Sequence, residues 1–131
     1  EGLCVPGFLG NPGRVMGLFD MFGLSSDSEL FPISLVEAMA AGLPAISSDV
    51  GDVKAMVSLE YAPFIVRPEA DALTVALQTL CADAALRARI GPTNHVRVRE
   101  SFSEDQMVRA YAALYGQAVG NSSIFHADLL S

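Results

Sequence analysis

Glu29 and Glu37 stand eight positions apart inside residues 25–51, SSDSELFPISLVEAMAAGLPAISSDVG. No other stretch sets carboxylates, a helix start and strand ends so close together. Pro32 fits a first helical position, where a missing N–H costs nothing. The next amides, at Ile33, Ser34 and Leu35, then lack intrahelical partners. They also carry the positive end of the helix dipole. A phosphate placed there is stabilised without a basic side chain. Glu37 falls about a turn and a half into the helix. Its carboxylate can accept two hydrogen bonds from a vicinal diol, the geometry a ribose presents. Glu29, in the loop before the helix, can reach another part of the same ligand. Ribose, phosphate and sugar in that order describe a nucleotide-sugar. The alternative reading makes Glu29 a solvated loop acid and Glu37 a solvated helix acid, and by chemistry alone the two stand level.

These groups need strand ends to hold them. Residues 20–25 form a compact apolar run, expected as a buried strand ending at Ser25. The helix from Pro32 runs to about Ala41, with Ile33, Val36, Met39, Ala40 and Leu43 recurring at helical steps. Gly42 sits where a left-handed cap belongs. Residues 44–48 read as a second short strand, 49–51 as a turn and 52–58 as a short helix. Upstream, residues 3–9 (LCVPGFL) read as an edge strand closed by the turn 10–13, and 14–19 as a helical turn. Residues 61–66 contain a further strand.

The C-terminal half reads as helical: 69–80, then 83–90 stopped by Gly91 and Pro92, then 94–101. Ser103 and Gln106 make a capping-box pattern that opens a last helix. That helix carries Val108, Tyr111, Ala112, Tyr115 and Val119 on one stripe, expected as core or as a contact surface. Arg87, Arg89, Arg97 and Arg99 are expected as a solvated face. Residues 121–131 carry no usable pattern. Strands alternating with helices, without hairpin turns, imply an α/β fold: a Rossmann-like parallel sheet flanked by helices. Ligands of such folds sit at the carboxyl ends of the strands.

The 131 residues suffice for one domain, and 51% hydrophobic with 18% charged residues is a globular composition. A net charge of -7 opposes a broad nucleic-acid or anionic-lipid surface. Cys4 and Cys81 are expected as buried thiols of a reducing compartment. His95 and His126 stand alone, so no metal site is expected. No apolar run is long enough for a membrane-spanning helix. The chain opens on Glu rather than Met and is expected to be part of something longer.

The run ELFPISLVEAMAAGLPAISSDVG resembles the signature of the retaining, GT-B-fold glycosyltransferases of the group 1, or family 4, type. The flanking words FLG, FDMFGLSS, LRARIG and FSEDQMVRAYAALY agree, so the resemblance covers roughly residues 5 to 117. It implies that residues 1–120 are the later part of a donor-binding domain, with 121–131 a tail. Glu29 would contact hydroxyls of the donor sugar and is the catalytic candidate. Phe31, Pro32, Ile33 and Ser34 would hold sugar and diphosphate, and Glu37 the ribose diol. Leu30 and Asp52 depart from common glycines of the pattern. The implied substrate is a nucleoside-diphosphate sugar, with no metal and no other cofactor. The implied partner is a missing N-terminal domain that brings the acceptor site and the diphosphate-neutralising Arg and Lys. Without it, these residues are expected to bind donor weakly and not to catalyse transfer. A homodimer through an exposed edge or the last helix is allowed. The expected location is cytoplasmic, with a peripheral membrane position open in the full protein. Competing readings are a non-catalytic nucleotide-sugar-binding or interaction module, a sugar-nucleotide epimerase, and a glycosidase using the two glutamates.

Overall fold

The structure, a computed structural model, describes residues 2–119. Three parallel strands form one sheet in the order β1-β2-β3. They are β1 (Phe22–Leu24), β2 (Ala45–Ser48) and β3 (Ile65–Val66). Phe22 lies opposite Ala45, and Ser48 opposite Val66. Parallel pairing demands crossovers. Helix α1 (Ile33–Ala40) returns the chain from β1 to β2. Helix α2 (Val53–Met56) and a 3-10 helix (Leu59–Phe64) carry it on to β3. Helices α3 (Ala70–Ala82), α4 (Ala84–Ser101) and α5 (Glu104–Ala118) follow. The fold is therefore the expected α/β arrangement, a Rossmann-like parallel sheet flanked by helices.

Every residue of β2 is buried, as befits a central strand paired on both edges. Leu35 and Met39 from α1, Val53 and Met56 from α2, Leu80 from α3 and Ile90 from α4 pack into the same core as Ile46. Burying one such side chain contributes about 1.5–3 kcal/mol. Gly42 adopts φ 73° after α1, the left-handed cap expected of it.

Several expectations are corrected. Residues 3–9 form no strand: they find no ladder partner, and Phe8 is 96% exposed. A strand without a neighbouring edge has nothing to satisfy its backbone. The helical turn expected over residues 14–19 is the 3-10 turn Met16–Leu18, preceded by another at Pro12–Arg14. Residues 61–66 do contain the expected strand, at Ile65–Val66, and the residues before it form the 3-10 helix that contains Pro63. Pro32 is the N-cap and not the first helical residue, with φ -70° and ψ 109°. Cys4 and Cys81 are exposed, not buried. The expected stop at Gly91 and Pro92 does not occur, and α4 runs through both. At Gly91 a Cβ would lie 2.3 Å from the Gly42 carbonyl oxygen, so close packing against the end of α1 governs that position.

Two of the four arginines are not solvated as expected. The Arg97 guanidinium donates to the carbonyls of Ala55 (2.7 Å) and Met56 (3.1 Å). Arg87 donates to those of Leu80 (2.6 Å) and Cys81 (2.9 Å). Both satisfy carbonyls at helix C-termini that have no intrahelical donor. Arg89 and Arg99 are exposed. His95 Nδ1 lies 2.6 Å from the Ala40 carbonyl and does the same for α1.

The Gln106 amide donates to Ser103 Oγ at 3.4 Å, so the cap on α5 forms. Its reciprocal half does not, because the Gln106 side-chain nitrogen turns to the Glu100 carbonyl. The Val108, Tyr111, Tyr115 and Val119 stripe is exposed, with the two tyrosine rings stacked at 6.2 Å. The expectation for residues 121–131 falls outside the described residues.

Candidate functional site

Chain leaving β1 at Leu24 and chain leaving β2 at Ser48 meet at the carboxyl end of the sheet. Ser48 Oγ is 3.5 Å from the Leu24 carbonyl oxygen. Beyond it, Gly51 takes φ +52° in the turn after β2. A Cβ at that position would lie 2.2 Å from the Glu29 carbonyl oxygen and 2.7 Å from that of Leu30. The Asp52 amide donates to the Leu30 carbonyl at 3.1 Å. The turn after β2 is thus pressed against the backbone of the loop after β1, and only glycine permits both the contact and the left-handed backbone. Lys54 pairs with Asp49 on the outer side of that turn.

Within the first loop, Ser26 Oγ donates to Glu29 Oε1 at 2.7 Å. The loop ends at Pro32, whose carbonyl accepts from Leu35 (3.1 Å) and Val36 (3.3 Å). Leu35 is therefore not one of the open amides expected from the sequence. Ile33 and Ser34 remain, with no N–H partner among the described residues. Phe31 packs edge to face on Phe102, ring centroids 5.5 Å apart, and the Arg97 guanidinium carbon lies 5.9 Å from the Phe102 centroid. The last turn of α4 therefore steadies the loop just before α1.

Glu37 is half-buried and has a different neighbour. A Cβ at Gly13 would be 3.8 Å from its Oε1 and 3.7 Å from Asn11 Oδ1. The turn around Asn11 to Gly13 thus flanks Glu37. Glu29 sits beside Ser26 and the turn after β2; Phe31, Pro32, Ile33 and Ser34 continue the same loop into α1. Sequence reasoning placed the turn 10–13 without connecting it to Glu37. It did not single out Ser26 as a partner of Glu29, although Ser-x-x-Glu is a spacing at which the two side chains can meet. The tie between Gly51 and the Glu29 backbone had no sequence signal beyond the glycine itself.

Two open grooves lie elsewhere. One of about 640 Å³ runs along Val66, Arg67 and Val75, and one of about 440 Å³ along Lys54, Ser58 and Arg97. Neither includes Glu29 or Glu37. The Glu29 to Glu37 surface is instead open, with Leu30 86% exposed beside it. Its claim as a site rests on the two free amides at the start of α1 between the Glu29 and Glu37 carboxylates.

Comparison with known proteins bears on the same stretch. The family model described as glycosyl transferases group 1 matches residues 1–96. The N-acetyl-alpha-D-glucosaminyl L-malate synthase of Bacillus anthracis is 29% identical over 113 residues, which is 82% of this chain and 29% of that protein. An exopolysaccharide phosphotransferase of Streptomyces coelicolor is 30% identical over 97 residues, which is 72% of this chain and 10% of that protein. The chain thus spans less than a third of the length of either curated relative. No solved structure gives a significant match.

Proposed function

The chain belongs to the glycosyl transferases of group 1, and from that premise we propose that residues 25–51 form the donor side of a nucleotide-sugar site. The observation that carries this is the pair of open amides, Ile33 and Ser34, entering α1 directly after a Glu29 loop that is tied to the turn after β2. In this reading the diphosphate sits at those amides, with Phe31 and Pro32 shaping the approach. Glu29 accepts hydrogen bonds from donor-sugar hydroxyls next to the reacting carbon. Glu37 accepts from the ribose diol. The bond from the anomeric carbon to the phosphate oxygen breaks, and the acceptor oxygen bonds to that carbon on the same face, its proton passing to the departing phosphate oxygen. Charge builds on the departing nucleoside diphosphate, and the helix amides stabilise it. Retention, a GT-B architecture and independence from metals and other cofactors belong to this proposal, as does a cytoplasmic setting.

Residues 1–120 would act as the donor-binding domain, and a further part of a longer protein would supply acceptor site and phosphate-neutralising cations. The two relatives are named for different transfer reactions, so the proposal stops at the donor. One observation favours a second reading, a nucleotide-sugar-binding module without catalysis of its own. Lys54 is paired with Asp49 and Arg97 is committed to the last carbonyls of α2, so neither is free to neutralise a diphosphate.

The test is an amide NMR titration of the chain with UDP, GDP and ADP, wild type beside Glu37→Ala. Shifts confined to Glu29 through Glu37 are expected for one nucleotide. Their loss in the variant, with affinity about tenfold weaker for two lost hydrogen bonds, supports the ribose role. Shifts that persist unchanged in Glu37→Ala remove that residue from the site.

A further inference from the structure

We propose that Ser26 is a positioning residue for Glu29, fixing the carboxylate before a ligand arrives. The inference rests on the donor-site reading of Glu29 and adds a residue to it. Ser26 Oγ donates to Glu29 Oε1 at 2.7 Å, a short bond to a charged acceptor. Both residues are half-buried, so water competes for this bond less than at an open surface. A hydroxyl has one proton to give, and a carboxylate has about four acceptor positions. The bond therefore occupies one position on Oε1 and leaves Oε2 wholly available to sugar hydroxyls.

The backbone beneath is fixed separately. The Gly51 turn lies against the Glu29 carbonyl, and the Asp52 amide holds the Leu30 carbonyl. With the main chain held by one loop, the freedom left to Glu29 is that of its own side chain. Glutamate loses more rotamer entropy on ordering than most residues. Ser26 removes part of that loss ahead of binding, which is preorganisation in the ordinary thermodynamic sense. The effect belongs to the sugar and not to the nucleotide, because Glu37 and the α1 amides lie outside the Ser26 contact.

The experiment uses the carbon-13-labelled chain, with the Glu29 carboxyl resonance assigned by its absence in Glu29→Gln. Each variant is titrated with UDP-glucose, GDP-mannose and ADP-glucose, and with UDP, GDP and ADP alone. In Ser26→Ala the Glu29 carboxyl resonance is expected to move in the free protein. The Kd for the preferred nucleotide-sugar should weaken about fivefold, the loss of one hydrogen bond, with the bare nucleotide unchanged. Ser26→Thr, which keeps the hydroxyl, should restore both. An unmoved resonance and an unchanged Kd in Ser26→Ala, where Glu29→Gln does weaken the nucleotide-sugar, overturn the positioning role alone. Equal weakening of sugar-bearing and bare nucleotide also overturns it, since that marks a general loss of structure. If Glu29→Gln leaves nucleotide-sugar affinity at the wild-type value, the donor reading itself falls and this inference with it.

Discussion

Two glycines show how much a single position can carry. Gly42 and Gly51 both have left-handed backbones, φ 73° and 52°. A Cβ on Gly42 would meet nothing within 4 Å, while one on Gly51 would meet the Glu29 carbonyl oxygen at 2.2 Å. Gly42→Ala should therefore cost only the left-handed penalty, about 1 kcal/mol. Gly51→Ala adds a clash with backbone that cannot rotate away, and about 3 kcal/mol is expected. Urea unfolding of both variants measures the difference, and equal losses would mean that the turn after β2 does not bear on the Glu29 loop. The same substitution should also move the amide resonances of Glu29 and Leu30, since their carbonyls face the added methyl.

Among the elements, α4 does the most to hold the site together. Its residues reach the ends of α1 through His95, of α2 through Arg97 and of α3 through Arg87. Asn94 Oδ1 accepts from the Ser58 amide at 3.2 Å just beyond α2. Gly91 lets the helix approach the Gly42 carbonyl closely enough for His95 to reach Ala40. Helix propensity alone favours alanine over glycine by about 1 kcal/mol. Here the sign should reverse: Gly91→Ala is expected to destabilise the fold by about 2 kcal/mol, in the range of overpacked cores. Thermal unfolding gives the answer directly. A raised Tm would show that α4 can move off α1 at little cost.

At the scale of the whole molecule, Tyr61 links stability to pH. It is fully buried, and its hydroxyl donates to the Leu43 carbonyl at 3.3 Å. Burial pushes its ionisation well above the ordinary tyrosine value of 10.0, and the charge of Glu60 adds to the effect. The folded protein thus holds this proton more tightly than the unfolded chain does. The resulting stability is fully present below about pH 10 and is lost as pH rises above it. Denaturant midpoints should accordingly fall above about pH 10 in wild type. Tyr61→Phe should flatten that fall while costing about 1 kcal/mol at neutral pH for the lost hydrogen bond. A fall of the same steepness in the variant would assign the alkaline loss to other groups. Among the described residues no helix is long and apolar enough to cross a membrane.

Local signals fixed much of this. Apolar runs bounded by glycine and proline located β1, α1 and β2, because burial, helical periodicity and cap geometry are all written in neighbouring residues. The spacing of Glu29, Pro32 and Glu37 placed two carboxylates around a helix start, and Gly42 announced its own left-handed cap. What lay beyond the sequence were contacts between distant positions. Residues 3–9 have a strand's composition, yet a strand exists only when another edge satisfies its backbone. Gly91 and Pro92 read as a helix stop, yet α4 passes through them because its packing on the end of α1 outweighs local preference. Arg97 reads as solvated, yet the carbonyls it satisfies are more than forty positions upstream. The hold of the Gly51 turn on the Glu29 and Leu30 backbone depends on two strand ends being neighbours. Only the folded sheet makes them so.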